Sequence, residues 1–184
     1  MKLKSLLSII VVFSFITVGC KSKKEMPALD SRKALDSISL KGLSLGMEFD
    51  KARESAIKLF EDAGFSKEIV PNINTDNTEI CVTKNENRPI CISIWKDKNN
   101  FLRKVEMSTY ATDTFFNAMD LSAEEFVKAF AKNYGLPEMK PAKDETVGYT
   151  YWNYESKKGW HIRINDAKYI IFEKIPEKEK PIFD

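Results

Sequence analysis

Glu79-Ile80-Cys81-Val82-Thr83 and Ile90-Cys91-Ile92-Ser93-Ile94-Trp95 are two alternating apolar and polar runs, separated by Lys84 to Pro89. Alternation of period two marks a strand with one buried face. The polar stretch between them carries the residues of a turn. With Glu86 at the centre of the hairpin, paired residues sum to 172, so Ile80 faces Ile92, Val82 faces Ile90 and Cys81 faces Cys91. That register gathers the isoleucines and Val82 on one face and puts both cysteines opposite each other on the other. Directly opposed residues have Cβ atoms about 4.5–5.5 Å apart, near the roughly 3.5–4.5 Å of a disulfide. A Cys81–Cys91 disulfide is therefore expected; the alternative is two reduced, half-buried thiols.

The pattern extends in both directions. Lys96 to Asn100 reads as a second turn and 101–109 as a third strand. Upstream, Phe49, Ala52, Ala56, Leu59, Phe60 and Ala63 form a stripe at helical spacing over Met47 to Ala63, and Gly64 stops the helix. Downstream, Ser122 and Glu125 form a capping box. Phe126, Ala129, Phe130 and Tyr134 give that helix its apolar face, and Gly135-Leu136-Pro137 ends it. Three further strands follow, Tyr149 to Glu155, Trp160 to Ile164 and Tyr169 to Ile175, joined by turns at Ser156–Gly159 and near Asp166. The expected fold class is α+β, with two helices packed on an antiparallel sheet. The helix-ending glycines lie 71 residues apart (135 − 64), which hints at tandem helix-plus-three-strand units, 40–112 and 113–175.

The N-terminus is a different kind of segment. A basic start (Lys2, Lys4) precedes an apolar run from Leu6 to Val18 and then Gly19-Cys20. This is the make-up of an export signal, and it falls short of the roughly 20 apolar residues that span a bilayer. Thr17-Val18-Gly19-Cys20 resembles the lipobox of bacterial lipoproteins, with threonine where leucine is commonest. The resemblance implies removal of residues 1–19 and lipid on Cys20, hence a cell-envelope protein. The absence of aspartate after Cys20 leans towards an outer membrane. The alternatives are a plain signal peptide and an uncleaved anchor with an incidental cysteine. Residues 20–39 read as a polar tether and 176–184 as a polar tail.

Cleavage would leave 165 residues (184 − 19) with 27 basic residues (29 less Lys2 and Lys4) against 27 acidic ones. A near-neutral chain with mixed charges lacks the clustered basic face that nucleic acid requires. No nucleic-acid partner is expected.

A second resemblance rests on Gly42-Leu43-Ser44-Leu45-Gly46-Met47, Ile92-Ser93-Ile94-Trp95, Phe101-Leu102-Arg103-Lys104-Val105, Tyr134-Gly135-Leu136-Pro137, Trp152 and Ile162-Arg163-Ile164. Together these resemble small envelope lipoproteins of the BamE-like and beta-lactamase-inhibitor-protein-like class over about residues 40–175. The likeness implies helix-plus-antiparallel-sheet units, sometimes in tandem. It transfers no functional residue.

No catalytic constellation stands out. His161 is the only histidine, so a histidine-based metal cluster has no second member. The phosphate-cradling glycine patterns are absent. No metal or cofactor is expected. Trp152, Tyr154 and Trp160 share a face with Ile162 and Ile164, most simply the core. Tyr149, Tyr151, His161 and Arg163 then lie on the opposite face, where Tyr and Arg suit a protein partner. The expected activity is a lipid-anchored, non-enzymatic protein-binding module. Two alternatives remain open: a glycan or small-ligand binder, and an envelope hydrolase built on clustered carboxylates.

Overall fold

The computed structural model describes residues 38–65, 69–83, 88–146 and 148–175. Cys20, the signal segment and the 176–184 tail lie outside these residues. The chain opens with a small hairpin, β1 (Ser39–Leu40) and β2 (Leu43–Ser44), and then α1 (Phe49–Asp62). A meander follows: β3 (Val70–Ile73), β4 (Asn77–Val82), β5 (Ile90–Lys96) and β6 (Leu102–Met107). Two helices, α2 (Thr109–Phe116) and α3 (Ala123–Tyr134), lead to a second meander. It consists of β7 (Pro141–Lys143), β8 (Thr150–Ser156), β9 (Trp160–Asn165) and β10 (Ile170–Lys174).

All eight large-sheet strands pair antiparallel in the order β3-β4-β5-β6-β10-β9-β8-β7. Each meander thus meets the other through its last strand, so the α+β sheet consists of two units joined back to back. The hairpin registers agree between units. Ile80↔Ile92 and Val82↔Ile90 in the first correspond to Tyr154↔Ile162 and Ser156↔Trp160 in the second. Cys81↔Cys91 accordingly occupies the place of Glu155↔His161.

One face of the sheet forms the core. Ile80, Ile92, Ile94, Val105, Ile162, Ile164 and Ile170 are fully buried there. The helices cover this side. α1 contributes Phe49, Ala52, Ala56 and Phe60. Phe116 of α2 packs edge-on against Phe126 of α3, with ring centroids 5.7 Å apart. The expected capping box is present at Ser122 and Glu125, and Gly135 closes α3 in the left-handed region at φ 63°. Such a conformation favours glycine because no Cβ obstructs it.

A buried lysine ties the β9–β10 turn to α2 and the α2–α3 connection. Lys168, in the β9–β10 turn, places its Nζ 2.6 Å from Asp113 Oδ1 of α2. It also donates to the carbonyls of Ala118 (2.7 Å) and Leu121 (3.2 Å) in the α2–α3 connection.

Three features differ from the sequence expectation. Each unit has a fourth strand, β3 or β7. Both contain proline and lie at the sheet's two edges, where a missing N–H costs no ladder bond. The third helix, α2, has a Thr-, Tyr- and Phe-rich sequence of the kind enriched in strands. It forms because Ser108 Oγ accepts from Ala111 N–H and because Ala111, Thr112, Phe115 and Phe116 are buried. The described residues also begin inside the stretch read as tether, and there Ile38 is buried and Ser39 pairs with Ser44.

Candidate functional site: the open face of the sheet

The three helices of the described residues lie on one side, so among these residues the other side of the sheet carries no helix and its side chains are half-buried or exposed. Two cross-strand rows run over it. The first is Asn77–Trp95–Lys104–Glu173–His161–Glu155. The second is Glu79–Ser93–Glu106–Ile171–Arg163–Asn153. Strand alternation points every member of both rows to the same face.

The centre of this face is an ionic network astride the β6–β10 seam. Lys104 Nζ lies 2.6 Å from Glu106 Oε1, 3.8 Å from Glu173 Oε2, and 4.9 Å from the centre of the Trp95 ring. Glu173 Oε1 is 3.0 Å from His161 Nε2. The Tyr169 hydroxyl donates to Glu106 Oε2 at 2.5 Å. Burial, and then the hydrogen bond to Glu106 and its charge, push the Tyr169 phenol above its ordinary range. These groups are only partly exposed, so each pair is screened less than a surface ion pair.

Cys81 and Cys91 lie on the same face and are bonded to each other, with Cα atoms 4.3 Å apart. The Glu79 carboxylate completes a compact group with their sulfurs. Bonded sulfurs offer no thiolate, so this group lacks the ligand chemistry of a Cys-based metal site.

The sequence-expected residues are partly brought together. Tyr151, His161 and Arg163 share the open face, and the Arg163 guanidinium stacks 4.7 Å from the centre of the Tyr151 ring. Tyr149 falls one residue short of β8 and is 54% exposed, at the β7–β8 turn. Trp152, Trp160, Ile162 and Ile164 are in the core as expected. Sequence reasoning passed over Trp95, Lys104, Glu106, Tyr169 and Glu173. Alternation within 101–109 and 169–175 places most of them outward, but only the non-local β6–β10 pairing assembles them.

A groove of about 650 Å³ lies on the helix side instead, between α3 and β7–β8. Val127, Ala131, Leu136, Met139 and Trp152 line it, with Lys128 and Lys132 among its polar residues. The carboxylates Glu106 and Glu173 are across the sheet from it, so the ionic network and the cavity are separate features. Among the described residues, no helix is long and apolar enough to cross a membrane. No known protein family, curated protein or solved structure matches the chain.

Proposed function

We propose that this chain is a lipid-anchored envelope protein whose open sheet face docks a protein partner, without chemistry of its own. The observation that carries the reading is a sheet face on which no helix lies among the described residues. It bears Trp95, the Tyr151–Arg163 stack and a central ionic network. Aromatic and arginine side chains are enriched in protein interfaces, and a rigid sheet presents them with little entropy left to lose on binding. The lipobox-like Thr17-Val18-Gly19-Cys20 supports the anchor. Two acyl chains suffice for stable membrane attachment.

Two experiments test the two parts separately. Cys20→Ser should abolish incorporation of labelled fatty acid and release the protein from the membrane fraction. Retention in that fraction, with no label taken up before or after the change, overturns the anchor. The double substitution Tyr151→Ala with Arg163→Ala should leave the unfolding midpoint close to wild type while the partner is lost from pull-downs. Unchanged recovery of the partner overturns the docking face.

A further inference from the structure

The two ends of the sheet differ in charge, and the chain enters at one of them. In an antiparallel sheet alternate turns share an end. The β3–β4, β5–β6 and β8–β9 turns, the α3–β7 connection and the exit from β10 therefore lie together. The entrance is there as well. Ser39 pairs with Ser44, Ser44 O accepts from Met47 N–H at 3.1 Å, and Leu102 N–H donates to Met47 O at 2.8 Å.

At this end the turns and terminal strand residues carry Lys96, Lys98, Lys140, Lys157, Lys158 and Lys174. Against these six, among the described residues, stand three acids, Asp76, Asp97 and Glu138. Asp97 caps its own turn, its Oδ1 accepting from the Asn99 and Phe101 backbone N–H groups. The first turn of α1 adds no net charge, since Glu48 pairs with Lys51 and Asp50 with Arg53. The far end is acidic. Among the described residues its turns and terminal strand residues carry Asp120, Asp144, Glu145 and Asp166 against Arg88, Lys143 and the buried Lys168, which pairs with Asp113, and the last turn of α1 adds Glu61 and Asp62. Exposed apolar side chains occur at both ends, Ile73 and Phe101 at the first, Met119 and Tyr149 at the second. Charge is what separates the two.

We propose that the lysine-rich end is a bilayer-facing surface that rests on anionic phospholipid headgroups, with Phe101 reaching into the interface. This inference rests on the lipid anchor at Cys20. The anchor joins the domain at that end through 17 intervening residues (21–37). Basic side chains gain attraction to an anionic leaflet within a Debye length, about 8 Å at physiological salt. The acidic end is repelled by the same field. The strands would then stand across the membrane surface, leaving the open face accessible from the side.

The test uses the full lipidated chain in vesicles whose acyl chains carry bromine, which quenches tryptophan at the interface. Phe101→Trp and Met119→Trp are compared over the common background of three native tryptophans. In phosphatidylglycerol-containing vesicles the added tryptophan at 101 should be quenched roughly twofold more than that at 119, because only one end is held at the charged surface. The excess should vanish in pure phosphatidylcholine and in the Lys98→Glu, Lys157→Glu, Lys174→Glu background. Equal quenching at both positions, or more at 119, in a protein that floats with the vesicles overturns the proposal alone. Failure of the wild-type chain to float overturns the anchor, and the proposal with it.

Discussion

Replacing Lys168 by methionine removes the ammonium that joins the β9–β10 turn to α2 while keeping most of the apolar stem. Lys168 is 9% exposed, and its Nζ meets Asp113 Oδ1 at 2.6 Å and two carbonyls at 2.7 and 3.2 Å. Without it the Asp113 carboxylate, itself only 11% exposed, loses its counter-charge, and the Ala118 carbonyl loses a donor. Breaking a buried pair from one side costs about 3–5 kcal/mol, most of it the penalty on the charge left behind. For a domain of this size, with a urea slope of roughly 2 kcal/mol per molar, the midpoint should fall by about 1.5–2.5 M. Urea unfolding followed by far-UV circular dichroism measures this directly. Adding Asp113→Leu should restore most of the loss, since a pair of apolar residues replaces a buried ion pair at little cost. A loss below about 1 kcal/mol in the single variant, the worth of a surface pair, would refute the reasoning.

Other consequences are simpler to state. The correspondence of Cys81↔Cys91 with Glu155↔His161 predicts that Glu155→Cys with His161→Cys forms a second disulfide on oxidative refolding. Closing so short a loop should stabilise by about 2 kcal/mol in the chain-entropy picture, less the lost His161–Glu173 contact. Peptide mapping that finds both new thiols free would show that the units do not share a register. Tyr134 is held neutral by burial, its phenol pushed up to about 12 against the opposing hydrogen bond from the Lys41 backbone N–H. Because the folded value lies above the ordinary 10, the stabilisation is complete below pH 10 and is lost as pH rises through 12. Wild type should lose about 2–3 kcal/mol more than Tyr134→Phe across that window, measured by urea unfolding at each pH. Identical pH profiles would show that this phenol is not buried as described.

Much of this architecture was legible in local pattern. The period-two runs around Cys81 and Cys91 gave the hairpin register, and the disulfide followed from it. Ser122, Glu125 and Gly135 bounded α3 because capping chemistry is local and strong. What escaped was decided by distant contacts. Thr109 to Phe116 looks like strand material, yet folds as a helix over the core. Pro71 and Pro141 disguised the edge strands. Lys168, in a polar turn, gave no sign that its ammonium would be buried against Asp113. The ionic network was invisible for the same reason. Lys104 and Glu173 are 69 residues apart (173 − 104), and only the meeting of β6 with β10 places them together.

The docking face is tested most directly by a photoactivatable phenylalanine analogue placed at Ile171, in the middle of the open face, in intact cells. The matched control carries it at Lys132, on the helix side. Ile171 should give one discrete crosslinked protein band that disappears in the Tyr151→Ala, Arg163→Ala background, while Lys132 gives none. Crosslinks from Lys132 alone, or a band from Ile171 that survives the double substitution, would contradict the assignment of the bare sheet face as the partner-binding surface.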